Sequence, residues 1–109
     1  MSYRTPLHVP VELRRDGRGR WFRLAEAVSD TEVVLAHIVP EELDGPISVA
    51  FHLPGDPERV SCRGRAAEVV VGEGEMQHAE RRVVSFIDLD ERGRTRIANY
   101  VNERLGLFR

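Results

Sequence analysis

The chain has no lysine: all 16 of its basic residues are arginine. A G- and C-rich genome, whose codons favour arginine, is the simpler account of that bias. The planar guanidinium fork would also suit bidentate contacts to phosphate or carboxylate. There is no excess of positive charge, because 18 acidic residues leave a net charge of -2. That balance excludes a general nucleic-acid-polymer binder, which draws its affinity from a surplus of Lys and Arg. Cys62 is the single cysteine, so an internal disulfide is excluded and a reducing compartment is expected. No apolar run approaches the ~18 residues of a membrane-spanning helix, and the opening MSYRTPLHVP lacks the apolar core of a secretion signal. Low-complexity tracts and internal repeats are also missing. These absences lead to the expectation of one soluble, cytoplasmic domain over residues 1–109, without membrane insertion and large enough for a modest core.

What is present is mostly strand pattern. Residues 1–7, MSYRTPL, read as a polar leader extended over the surface. From His8 to Arg15, Val9, Val11 and Leu13 fall on one face, the period of a half-buried strand. Pro10 cannot donate to a ladder, so its amide side must face an edge or a gap. Asp16-Gly17 supplies a hairpin turn. Trp21 to Val39, WFRLAEAVSDTEVVLAHIV, reads as strand, bend, strand around the polar segment Ser29 to Glu32. A loop at 40–46 follows, then the clean alternation of Ile47, Val49, Phe51 and Leu53. After the turn at Pro54-Gly55 comes a long strand from Arg59 to Val71, whose Gly64, Ala66 and Ala67 suggest a bend or bulge. An acidic loop at 72–80 leads to a last strand, Arg81 to Asp88.

From about Asp90 the period changes: Ile97, Tyr100, Val101 and Leu105 recur at three- and four-residue steps, the stripe of an amphipathic helix. Asp88 or Asp90 can cap its start and Gly106 its end. Arg94 and Arg96 stand early, where the helix dipole disfavours them. The apolar stripe could cover the barrel or pair with a second copy, which leaves monomer and homodimer both open. The predicted architecture is all-β, a six-stranded antiparallel barrel over 8–89 with a C-terminal helix at 90–105 and a tail, 106–109, containing Leu107 and Phe108.

This order of elements resembles a PilZ domain, across roughly Arg4 to Leu105. VPVEL resembles the family's first strand, and VVSFIDLDERGRTRIANYV its last strand and exit into a helix. The resemblance implies a split-barrel fold and, as ligand, the bacterial second messenger cyclic di-GMP. Two motifs carry that binding in the family: R-x-x-x-R before the first strand, and D/N-x-S-x-x-G at the bend between the second and third. The first falls on RTPLH, where Arg4 matches and His8 replaces the second arginine. The second falls on AVSDTE, where Ser29 matches, Ala27 replaces the acid or amide, and Glu32 replaces the glycine.

Those departures all cut against the nucleotide. His8 is shorter than arginine and lacks its fork of donors. Ala27 offers no polar atom to a guanine edge. Glu32 adds negative charge beside an anionic ligand; a like-charge contact at ~4 Å costs about 1 kcal/mol in water and about 4 kcal/mol at an effective dielectric near 20. If the bend needed a positive φ at position 32, a side chain there would cost about 1–2 kcal/mol more. Even the lenient sum weakens binding about 100-fold or more.

Nothing else in the chain organises chemistry. His8, His37, His52 and His78 form no metal-binding spacing, and Cys62 has no neighbouring thiol, so no metal site is expected. Ser29 has no nucleophile-elbow context and reads as a turn residue bonding its own backbone. Arg63 and Arg65 share a strand face and could form an anion-binding row, although pairing with acidic neighbours on an outer barrel face accounts for them as well. Trp21 and Cys62 read as core or half-buried filler. No catalytic residues and no cofactor are therefore expected, with cyclic di-GMP possible but disfavoured. The expected function is a non-enzymatic PilZ-like adaptor acting through bacterial signalling or motility proteins. The alternative is a working cyclic di-GMP receptor that uses Arg4, His8 and Ser29 in a non-standard pose.

Overall fold

The structure, a computed structural model, describes residues 4–15, 19–38, 45–70 and 81–106. The expected Asp16-Gly17 turn, most of the 40–46 loop, the 72–80 loop and the Leu107-Phe108 tail lie outside these residues. The described strands are β1 (Thr5–Pro6), β2 (Pro10–Arg15), β3 (Gly19–Val28), β4 (Glu32–Ala36), β5 (Ile47–His52), β6 (Arg59–Val70) and β7 (Arg81–Phe86), followed by helix α1 (Glu91–Arg104). Every ladder is antiparallel, in the order β1-β3-β2-β5-β6-β7-β4, and an additional β3–β4 pairing closes the ring. Closure leaves the six main strands without a free edge, as the strand count in the sequence implied.

Alternation decides which side chains enter the barrel. Val11, Leu13, Leu35, Val49, Phe51, Val60 and Val84 are buried in one continuous core. Two irregularities bend the wall. The β6–β7 register shifts between Ala66 and Glu68, which places a bulge in the small-residue stretch where the sequence suggested one. The β3–β4 register shifts between Ala25 and Ala27. A bulge switches which parity faces inward, so Ala25 and Val28 are both buried while Phe22 and Leu24 stand exposed on the outer face. Gly64 sits where the wall leaves no room for a side chain: a Cβ there would lie 2.6 Å from Val84 Cγ1 and 3.2 Å from the Ser85 carbonyl oxygen.

The reading of residues 1–7 as a surface leader needs correction from Thr5 onward. Thr5 and Leu7 are buried, and β1 pairs with the far end of β3, Thr5 opposite Val28 and Pro6 opposite Ala27. Leu7 N–H donates to Glu26 O and Ala25 N–H to Val9 O, both at 2.9 Å, so β3 is zipped continuously from β2 into β1. The β2–β5 ladder begins only at Glu12, which leaves Pro10 clear of it.

Helix α1 covers the barrel. Ile97 and Val101 are buried in the core and Tyr100 packs against it, but Leu105, assigned by its spacing to the same stripe, is the C-cap and is exposed. Asp90 is the N-cap and accepts from Gly93 N–H at 2.7 Å, while Gly106 follows the helix with φ 71°. Two arginines of its first half hold the helix down from the side. Arg96 donates to Asp56 Oδ2 at 2.7 Å, and Arg92 pairs with Glu58, tying α1 to the β5–β6 turn.

Candidate functional site

The β3–β4 bend brings the residues of the two motifs together. Ser29 is buried, and its backbone N–H donates to Glu32 O at 2.9 Å. Its hydroxyl accepts from Thr31 N–H at 3.2 Å and lies 3.1 Å from Thr31 Oγ1. The serine side chain is thus engaged in shaping the bend. Thr31 O accepts from Phe86 N–H at 2.9 Å, which fastens the bend to the end of β7.

Glu32 opens β4, pairing with Ser85 across the β4–β7 ladder. Its backbone is in the strand, and His37 (φ 55°) is the positive-φ non-glycine among the described residues. Position 32 therefore carries none of the conformational cost that a left-handed bend would have imposed; only its charge bears on a ligand.

That charge has a partner. β1 lies against the end of β3, so Arg4, immediately before it, reaches across to Glu32. Arg4 Nε donates to Glu32 Oε2 at 2.6 Å, and its Nη2 pairs with the same oxygen. The pair is half-open to water, with 42% of the Arg4 side chain and 23% of the Glu32 side chain exposed. The residue at the family's leading arginine position is thus engaged by the residue at its glycine position. Ala27 is half-buried between Pro6 and Val34 in the two ladders, and His8 is exposed between β1 and β2. Arg4, Ala27, Ser29 and Glu32 share one end of β3; their convergence follows from the β1–β3 register, which no local spacing in the sequence reveals.

Other ionisable groups are used structurally. Glu12, on the strand face opposite Val11 and Leu13, is buried between two arginines: Arg59 Nη2 lies 2.5 Å from its Oε1, and Arg20 Nη1 3.5 Å from its Oε2. Asp88 accepts from the Arg63 backbone N–H at 2.6 Å and from Arg63 Nε at 2.9 Å, and these bonds hold its carboxyl below the usual range. Cys62 is buried and free, and desolvation, aided by the charges of Asp88 and Asp90, pushes its thiol up to about 12. Such a thiol is a poor nucleophile and metal ligand. His52 is exposed, on the face opposite Val49 and Phe51 as its parity required. Among the described residues no group of three or more His, Cys, Asp or Glu could hold a metal ion, and no helix is long and apolar enough to cross a membrane.

A closed six-stranded barrel, a strand leading into it, and a helix across it define a PilZ-type fold, and solved structures agree. The chain superposes on the inhibitor of motility MotI/DgrA of Bacillus subtilis with a TM-score of 0.80 at 9% identity, covering 100% of this chain and 52% of that one. It matches the PilZ domain of YcgR from Escherichia coli, solved with c-di-GMP, with a TM-score of 0.72 at 7% identity, covering 97% of this chain and 91% of that one. The PilZ domain of CeSA from a cellulose-synthesizing bacterium gives a TM-score of 0.58 at 21% identity, over 99% of this chain and 100% of that one. The chain thus spans about half the length of the motility inhibitor and nearly all of the two isolated PilZ domains. No family model and no curated protein matches the sequence. The likeness is one of fold, and by fold this is a PilZ-like domain.

Proposed function

We propose that the protein is a non-enzymatic signalling domain that uses the PilZ barrel as an adaptor, with cyclic di-GMP binding absent or weak. The observation that carries this reading is the Arg4–Glu32 ion pair. In the resembled family the leading arginine grips the ligand. Here a carboxylate already occupies it, and a phosphate would have to displace that carboxylate and then sit beside it. Ala27 and His8 supply neither the guanine-edge contact nor the second guanidinium. The fold neighbours include an inhibitor of motility and a c-di-GMP-bound PilZ domain. They support regulation of bacterial motility or surface behaviour through protein partners as the context.

Equilibrium dialysis against labelled cyclic di-GMP tests the reading. The wild-type chain is expected to show no low-micromolar binding, and the triple variant His8→Arg, Ala27→Asp, Glu32→Gly to gain it. Tight binding by the wild type would establish the alternative, a receptor working through Arg4, His8 and Ser29 in a non-standard pose.

A further inference from the structure

At the opposite end of β3 the strand registers assemble a second basic feature. Arg20 on β3 stands opposite Arg14 on β2, Arg14 opposite Ser48 on β5, and Ser48 opposite Arg63 on β6. All four residues are exposed, so one transverse row on the outer wall reads Arg, Arg, Ser, Arg. Neighbouring strands lie ~4.8 Å apart, which puts Arg14 and Arg63 about 10 Å apart at the backbone, within reach of one ligand for two long side chains. Like charges directly opposite in a ladder are destabilising, so pairing Arg14 with Arg20 does not serve the fold. Arg20 leans 3.5 Å from Glu12, and Arg63 is bound through Nε to Asp88. Each keeps further N–H donors, since a guanidinium has five. Arg14 has no hydrogen bond or ion pair among the described residues.

The row borders a cavity of about 590 Å³, lined among the described residues by Arg14, Arg15, Gly19, Pro46, Ile47, Ser48 and Arg63. That volume lies in the range that holds small ligands, ~300–1,000 Å³. Among the described residues the charged groups of the lining are Arg14, Arg15 and Arg63, with the Asp88 carboxylate on Arg63, and Arg14 with Arg63 gives the cavity a pair of guanidinium groups suited to an anion. No aromatic ring is among the described lining residues, so nothing there would stack on a base. The geometry points to a binding site for a polyphosphate chain, of diphosphate or triphosphate length, held between Arg14 and Arg63. Gly19 is nine residues from Val28, about 30 Å along an extended strand, so this site is separate from the Arg4–Glu32 end and independent of the reading given to it.

Isothermal titration of the whole chain with sodium tripolyphosphate at low salt tests the assignment, with sulfate as the single-anion reference. Saturable one-to-one binding is expected, falling steeply with added salt. Arg14→Ala touches no described partner and relieves the repulsion from Arg20, so it should not lower the thermal midpoint while weakening binding about 10- to 100-fold, the scale of a lost charge-assisted contact. Arg63→Lys, which keeps the charge and loses the fork, should weaken it less than Arg63→Ala. Arg94→Ala, a helix arginine away from the row, should bind as the wild type does. ATP matching tripolyphosphate would show that the phosphate chain is the recognised part. ATP binding without tripolyphosphate binding would overturn the proposal, as would Arg14→Ala binding like the wild type, or tripolyphosphate behaving no differently from sulfate, an adventitious ion only.

Discussion

Replacing Glu32 with glutamine isolates the charge that separates this chain from a nucleotide-binding PilZ site. The substitution keeps the size of the side chain and the strand backbone, and removes one negative charge. Two terms change. A ligand phosphate no longer has to break the Arg4–Glu32 pair, which at 42% and 23% side-chain exposure is a partly solvated bridge of about 0.2–1 kcal/mol. It also no longer meets a like charge, a repulsion between about 1 kcal/mol in water and about 4 kcal/mol at an effective dielectric near 20. Because Glu32 is partly exposed, the repulsion falls toward the middle of that interval. The sum is about 2–3 kcal/mol, or about 30- to 150-fold in affinity. Glu32→Gln should therefore bind cyclic di-GMP that much more tightly than the wild type, whereas Glu32→Asp, which keeps the charge, should stay weak. Dialysis at two salt concentrations adds a second check, since the Gln-over-Glu advantage must shrink as ions screen it. If Glu32→Gln binds within about threefold of the wild type at low salt, a gap of well under 1 kcal/mol, the electrostatic account of the site is wrong, and the deficit lies in Ala27 and His8.

Three further outcomes follow from the fold. Gly64→Ala should destabilise the barrel by about 1–3 kcal/mol through overpacking, because its Cβ would fall 2.6 Å from Val84 Cγ1; an unchanged urea midpoint would contradict that close approach. Asp56, bonded to the Glu58 backbone and to Arg96, and Asp88, bonded to Arg63, both hold their protons less tightly folded than unfolded. Their stabilisation is complete above the ordinary carboxylate value of 3.8 and is lost as pH falls below it. Acid titration of the thermal midpoint should steepen there, and Asp56→Asn with Asp88→Asn should flatten it. Cys62 gives the opposite dependence: folding moves its thiol from 9.0 to about 12, so the unfolded chain releases the proton first and the fold loses stability as pH climbs from 9.0 toward 12. Thiol reagents at pH 8 should label it slowly until denaturant is added, and rapid labelling of the folded chain would refute its burial.

The barrel was legible because period-two alternation survives in most of its strands, and the helix because Ile97, Tyr100 and Val101 switch the period. The parts that were missed share a physical cause. Leu7 has the same parity as Val9, Val11 and Leu13, so the inward pattern already ran back through Pro6 and Pro10; the prolines masked a strand that the ladder tolerates at its ends. The bulge at Ala25–Ala27 switches the inward parity of β3, so Phe22 and Leu24 share the parity of buried Val28 and yet stand exposed, a change that the sequence pattern does not mark. Arg63 and Arg65 were visible as a row along one strand. The row with a cavity beside it runs across four strands, and a cross-strand row exists only once register is known. The same holds for Arg4 and Glu32, 28 residues apart.

That last pair also bears on why a barrel can keep its shape while its ligand chemistry changes. The leader is anchored mainly by what surrounds the ion pair: the Thr5–Val28 and Pro6–Ala27 pairings, the Leu7 N–H bond to Glu26, and the burial of Thr5 and Leu7. Burying a leucine contributes about 1.5–3 kcal/mol, several times the worth of a half-exposed salt bridge. Positions 4 and 32 can thus change charge with little effect on the fold, while a change of one charge there is worth an order of magnitude or more to an anionic ligand. It follows that Glu32→Gln should move the thermal midpoint by less than about 8 °C, since a loss below about 1 kcal/mol shifts a domain of this size by roughly 4–8 °C at most. A collapse of the midpoint in that variant would mean the ion pair, and not Leu7, holds the leader in place.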